Sequence, residues 1–208
     1  MELNQLNGEG YIKFQVFLKE NIHALDDYSL DDLIRYRKKL MDLKLIGMKG
    51  NVGYGNISKR VDEKRFIISA TQTGDIYEAT KQDFTLVTFA DIDNNIVYCE
   101  GLKKASSETM THAAIYYAND HIKYVIHIHS IELWKHYYNM LPFTSERAQY
   151  GTVEIAKEIY NVVKNIKSNK GIVLLKGHEE GLISFAETIE EAFSIIIDLI
   201  KKKGEKND

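Results

Sequence analysis

The chain has one cysteine, Cys99, and one proline, Pro142, among its 208 residues. A single thiol excludes an intrachain disulfide, so no oxidised framework holds this fold. The segment around it, Asn95-Ile96-Val97-Tyr98-Cys99-Glu100, reads as a strand with no base beside the sulfur. That predicts a packed thiol rather than a nucleophile. One proline leaves no proline-rich linker. Long apolar runs are missing too, since no stretch approaches the ~20 residues that span a bilayer. The opening Met1-Glu2-Leu3-Asn4-Gln5 has neither the basic segment nor the apolar stretch of a secretory signal. Together these absences predict a cytoplasmic protein. A charge excess is also lacking: the net charge is −3 and the pI about 6.2. There is no electrostatic footprint for nucleic acid or an anionic membrane, and neither is expected as a partner.

What is present suits one compact domain covering residues 1–208. At 44% hydrophobic residues the chain can build its own core. Apolar spacing predicts a helix over 11–24. Ser29-Leu30-Asp31-Asp32 predicts the start of a second, capped by Ser29 and running to about Leu45. Gly50-Asn51-Val52-Gly53-Tyr54-Gly55-Asn56 reads as a loop leading into Ile57–Arg60. Strands are expected at 65–70, 83–89, 96–100, 124–129, 171–176 and 182–185. Further helices should start at Ser106-Ser107-Glu108, at Thr152 and at Thr188-Ile189-Glu190-Glu191, the last through a capping box. The final helix should reach about Lys203, its basic end suiting the dipole, and stop at Gly204. Helices around a central set of strands predict an α/β sandwich with partly antiparallel pairing.

The chemistry concentrates in Tyr124-Val125-Ile126-His127-Ile128-His129-Ser130. In a strand, His127 and His129 emerge on one face, roughly 6.5–7 Å apart at Cβ, while Ile126 and Ile128 face a core. Such a pair either decorates a half-exposed strand end or converges on a metal. His178, just past a strand, could add a third imidazole. Three neutral nitrogens hold Zn²⁺ and leave a position open. Glu108 shares a helix face with His112. It either complements the helix dipole or acts as an acid/base beside the metal. Ser106 and Ser107 are either caps or, with the free N–H groups of the helix start, an anion site. Gly53-Tyr54-Gly55-Asn56 and Thr71-Gln72-Thr73-Gly74 are turns that could add backbone donors to the same anion.

Gly55-Asn56-Ile57-Ser58, Thr71-Gln72-Thr73-Gly74, Ser106-Ser107-Glu108 with His112, His127-x-His129, and His178 with Gly181-Leu182-Ile183 follow one another in a telling order. In order and spacing they resemble the class II aldolase/adducin family, over about Leu30 to Lys203. The resemblance implies a central, mostly antiparallel sheet between helical layers, in a homotetramer. It implies His127, His129 and His178 as metal ligands, with Zn²⁺ foremost, and Glu108 as the catalytic acid/base. Asn56, Thr73, Gly74, Ser106 and Ser107 would receive a substrate phosphate. The implied reaction is aldol cleavage or formation in a phosphorylated ketose through a metal-stabilised enediolate, as in the fuculose-phosphate aldolase-like members. A methylthioribulose-phosphate-type dehydratase or a sugar-phosphate epimerase would use the same site, and an adducin-like interaction module would need no metal ligands.

Departures from the family pattern are also visible. Thr-Gln-Thr-Gly stands where Thr-Pro-Ser-Gly is usual, though Thr73 keeps a hydroxyl. Glu179 and Glu180 intervene between His178 and Gly181, where glycine usually follows the histidine at once. The tail, Gly204-Glu205-Lys206-Asn207-Asp208, lacks the tyrosine that some members use for proton delivery. Tyr137, Tyr138 and Tyr150 are the other candidates, each with a packing role as the alternative. No lysine or arginine lies inside the anion-binding motifs, so that pocket is expected to rely on neutral donors.

Overall fold

The computed structural model describes residues 11–205. The opening Met1–Gln5 stretch and the last three residues of the tail lie outside it. The strands are β1 (Gln15–Glu20), β2 (Gly47–Lys49), β3 (Val52–Tyr54), β4 (Asn56–Arg60), β5 (Phe66–Ser69), β6 (Phe84–Asp91), β7 (Ile96–Gly101), β8 (Tyr124–His129), β9 (Phe143–Thr144), β10 (Gly171–Leu175) and β11 (Gly181–Ala186). The helices are α1 (Asp31–Asp42), α2 (Thr109–Ala118), α3 (Ile131–Tyr137), α4 (Val153–Asn165) and α5 (Ile189–Glu205). One sheet runs β1-β7-β6-β5-β4-β8-β11-β10-β9, and β2 and β3 form a separate hairpin. Its inner pairings are antiparallel. Only the outermost ones, β1 with β7 and β9 with β10, are parallel. No described helix is long and apolar enough to cross a membrane.

Alternation along the strands sorts side chains into two cores. Ile57, Ile67, Ile126, Ile128, Leu174 and Leu182 pack with α1, α3 and α5. Phe66, Ile68, Val125, Val173, Ile183 and Phe185 pack with α2 and α4. The product is an α/β sandwich whose central, mostly antiparallel sheet lies between helical layers. Local signals account for several boundaries. Thr152 caps α4 by accepting from the Ile155 amide. At α5, Thr188 Oγ1 accepts from the Glu191 amide at 3.2 Å while its hydroxyl bonds the Glu191 carboxylate.

Other expectations fail for identifiable reasons. The helix expected over 11–24 is largely β1. Val16 and Leu18 alternate inward between exposed neighbours and pack on the core, and pairing with β7 overrides the helical spacing. The Gly/Asn-rich loop is the second half of the β2–β3 hairpin, with Gly50 in a left-handed conformation at the turn. Ser29 does not cap α1: Leu30 occupies the cap position, and the Ser29 hydroxyl turns to the Asp31 carboxylate. Gly204 lies inside α5, which runs on to Glu205. Cys99 is buried on β7, and burial pushes its thiol pKa up, as suits a packed thiol.

Candidate active site

The site lies at the end of β8. His127 and His129 follow Val125 on the α2/α4 face, while Ile126 and Ile128 anchor the strand in the opposite core. His178 arrives from the turn between β10 and β11, where its amide donates to the Leu175 carbonyl and its carbonyl accepts from the Gly181 amide. Gly181 stands opposite His129 in the ladder. A Cβ there would lie 3.2 Å from His127 Nε2 and 3.3 Å from His178 Cγ, so a side chain would crowd the imidazoles apart. Ring centroids are 4.9 Å apart for His127 and His129, 5.0 Å for His127 and His178, and 4.8 Å for His129 and His178. One ring nitrogen from each lies within 4.8 Å of the other two.

All three imidazoles are at most 5% exposed. Neither nitrogen of His127 has a hydrogen-bond partner, though both are buried. A buried donor or acceptor left unpaired ordinarily costs about 1–3 kcal/mol. Burial first, then the neighbouring imidazoles, hold the His127 pKa well below its ordinary value. The ring is therefore neutral, the form that ligates metals. Three buried imidazoles, with His127 neutral and its nitrogens unpartnered, fit a divalent metal ion.

Glu108 sits at the N-cap of α2 and is 2% exposed. Its Oε2 accepts from the Thr111 hydroxyl at 2.8 Å, and its Oε1 is 3.5 Å from His178 Nδ1. One turn on, His112 Nδ1 is 2.7 Å from Ser58 Oγ, which in turn is 2.7 Å from the Tyr116 hydroxyl. Complete burial lowers the His112 pKa to about 3, so this ring is neutral as well.

Beside the imidazoles is the pocket expected for an anion. Asn56 Nδ2 donates to Ser106 Oγ at 3.1 Å, and the Glu108 amide reaches the same oxygen at 3.3 Å. With both contacts accepted, the Ser106 hydroxyl proton is left for a ligand. Thr73 differs, because its hydroxyl donates to the Ala70 carbonyl at 2.8 Å. It therefore faces a ligand as an acceptor and a turn-former, not as a donor. Gly74 packs against the β2–β3 hairpin so closely that a Cβ would meet the Gly47 carbonyl oxygen at 2.5 Å and Gly53 Cα at 2.8 Å. Asn56, Thr73, Gly74, Ser106, Ser107, Glu108, His127, His129 and His178 all line one cleft of about 280 Å³.

Of the three tyrosines considered, only Tyr150 reaches this cleft. Its ring centroid is 4.9 Å from that of His178, and its hydroxyl donates to the Tyr11 carbonyl at 2.7 Å. Tyr137 donates to the Leu199 carbonyl and Tyr138 to Glu146, both away from the cleft. Sequence reasoning overlooked Tyr11 and gave the Tyr54 side chain no role, though both residues also line it. It overlooked Arg37 as well. This arginine on α1 is 2% exposed and donates to the Thr73 and Ile76 carbonyls, bracing the Thr71–Gly74 turn from behind. A readable signal existed: Arg37 lies among Leu33, Tyr36 and Leu40 on the apolar face of α1.

The model of the Class II Aldolase and Adducin N-terminal domain matches residues 47–201. The chain belongs to the class II aldolase/adducin family. Solved structures agree in fold. A sugar-phosphate aldolase from Thermotoga maritima superposes with a TM-score of 0.62 at 18% identity, over 84% of this chain and 93% of its own. An L-fuculose 1-phosphate aldolase gives 0.59 at 24% identity, over 84% and 82%. The L-fuculose-1-phosphate aldolase from Thermus thermophilus gives 0.55 at 15% identity, over 84% and 88%. In this member of the family, the matched residues 47–201 include every side chain that lines the cleft except Tyr11.

Proposed function

We propose that this class II aldolase/adducin protein is a divalent-metal-dependent lyase that cleaves or forms a carbon–carbon bond in a phosphorylated ketose. One observation carries the reading: three buried imidazoles, a buried carboxylate and a pocket of neutral donors open onto the same cleft. His127, His129 and His178 would hold the ion, and Zn²⁺ is the one we assign from the all-imidazole donor set. When bound, the ion supplies Lewis-acid stabilisation of negative charge developing on a substrate oxygen. Everything else falls to the protein. The Ser106 hydroxyl, the Ser107 side chain and the amides at the start of α2 receive the phosphate, where the helix dipole favours an anion. Asn56 orients Ser106, and Thr73 and Gly74 shape the turn. Thr111 fixes Glu108 Oε2, and Oε1, 3.5 Å from His178 Nδ1, is the atom we assign to holding and moving the substrate proton.

Dehydration or epimerisation of a sugar phosphate would use the same groups, so the test must read products. The purified protein is stripped with a chelator and reloaded with Zn²⁺, Mn²⁺ or Co²⁺. A panel of phosphorylated ketoses is then screened for aldehyde release and for water loss. Metal-dependent aldehyde release supports the aldolase. Water loss alone moves the assignment to a dehydratase, and a changed configuration with neither moves it to an epimerase. A protein that binds no divalent ion and turns over nothing is an adducin-like module. The same reading includes a homotetramer in the cytoplasm, and light scattering tests the assembly.

A further inference from the structure

Glu179 and Glu180 separate His178 from Gly181, and the function proposed above uses neither. Glu180 adopts a φ of 69°, a left-handed conformation that a residue with a Cβ takes up at a cost. Its carbonyl accepts from the Ser130 amide at 2.9 Å, which ties this turn to the residue after His129. The turn aims the carboxylate at two groups. Oε1 accepts from Lys49 Nζ on β2 at 2.8 Å, and Oε2 lies 3.8 Å from His129 Nδ1. The Tyr54 ring also packs near that imidazole, with its centroid 5.4 Å away. The two imidazole nitrogens flank Cε1, so a carboxylate placed at Nδ1 leaves Nε2 for another partner. A ligating histidine ordinarily donates its second N–H to a carboxylate or carbonyl, which sets its tautomer and orientation.

We propose that Glu180 is a positioning residue for the metal site: braced by Lys49, its carboxylate faces His129 Nδ1, favours the Nδ1–H tautomer electrostatically and so presents Nε2 to the ion. This rests on the reading of His127, His129 and His178 as the ligands. The bracing has a second consequence. Lys49 belongs to the hairpin that packs on Gly74, so one ion pair links the metal side of the cleft to the anion side.

The test uses the full chain. Zinc affinity is measured by competition with a chromophoric chelator for wild type, Glu180→Gly, Glu180→Gln and Lys49→Met. Glycine relieves the backbone conformation, so a loss in that variant comes from the missing carboxylate. We expect Glu180→Gly to bind zinc about 10–100-fold more weakly. Glu180→Gln, whose amide oxygen keeps a partial negative charge, should lose less, and Lys49→Met should fall between wild type and Glu180→Gly. A long-range ¹H–¹⁵N correlation on the metal-free protein should show His129 as the Nδ1–H tautomer in wild type and as a mixture in Glu180→Gly. Tight zinc binding by the wild type with equal binding by Glu180→Gly overturns the role of Glu180 and leaves the three-histidine site standing. An unchanged His129 tautomer does the same. A wild type that binds no divalent ion overturns both.

Discussion

The two ends of β4 bury polar groups on the same face of the sheet, and they treat them in opposite ways. At the far end Arg60 is 8% exposed. Its Nε donates to the Ile122 carbonyl at 2.7 Å, and its guanidinium also reaches the Tyr116 and Asn119 carbonyls, close to the C-terminus of α2. A cation there satisfies orphan carbonyls and suits the helix dipole. At the near end Asn56 stands opposite His127, whose two nitrogens find nothing to bond. Between them, Ser58, His112 and Tyr116 form a short buried chain in which only His112 Nε2 is left over. Buried polar groups with a full set of partners serve architecture. At the near end, a buried imidazole short of partners stands beside two more imidazoles and a carboxylate, which makes it the candidate ligand site. One helix, α2, thus has its structural cation at one end and its candidate chemistry at the other.

The sharpest way to separate the two ends is Glu108→Gln. It keeps the shape and the Thr111 contact but removes proton transfer, so turnover should fall by ~10²–10⁴-fold with zinc affinity nearly unchanged. Steady-state kinetics alongside a zinc titration check this, and wild-type turnover in the variant would remove Glu108 from the chemistry.

The buried chain at the middle of the strand, where His112 of α2 meets Ser58, responds to pH. An unfolded His112 has an ordinary pKa near 6.5, whereas in the fold it is lowered to about 3. Between these values the unfolded chain binds a proton that the folded one refuses, so stability falls as pH drops below 6.5. The full difference is on the order of 5 kcal/mol, reached only below about pH 3. Urea unfolding of wild type and His112→Gln across this range should give curves that diverge as acid is added. Parallel curves would mean that His112 is not held neutral by burial.

The far end should behave as architecture alone. Arg60→Leu strands several buried carbonyls and should cost about 3 kcal/mol of stability. At a temperature where the variant is folded, its zinc affinity should match wild type. A selective loss of zinc binding would erase the distinction between the two ends.

The smallest effect is expected from Arg37→Met. This change releases the Thr73 and Ile76 carbonyls and removes a buried positive charge behind the proposed anion pocket. The affinity for a phosphorylated ketose should drop about tenfold, near the 1.5 kcal/mol of one charge-assisted hydrogen bond. Calorimetry with phosphorylated and unphosphorylated sugar checks this, and an equal loss for both would place Arg37 in folding rather than in anion recognition.

How much of this was legible from the residues depends on range. The β8 pattern announced its two faces, because alternation is a property of neighbours in sequence. The caps Thr152 and Thr188 likewise act within three residues. Arg37 escaped notice because its partners lie 36 and 39 residues away on a turn that gives no local sign of needing them. β1 was misread because its pairing partner, β7, lies far along the chain, and edge pairing outweighed a helical spacing of apolar residues. Thr73 was recognised as a hydroxyl, but the direction of its proton was decided by the Ala70 carbonyl.

By itself, the sequence determined the repertoire: which side chains could ligate, transfer a proton or receive an anion, and which face of each strand and helix would carry them. Steric alternation, helical pitch and capping act over a few residues, so they are written locally. Only the tertiary structure decided that His178 meets a strand some 50 residues earlier, that Glu180 turns back toward His129, and that Lys49 braces it. Those meetings follow from β8 and β11 lying side by side in the sheet and from the β2–β3 hairpin packing over the cleft beside them. Such packing depends on the burial of whole faces at once, which no local spacing encodes.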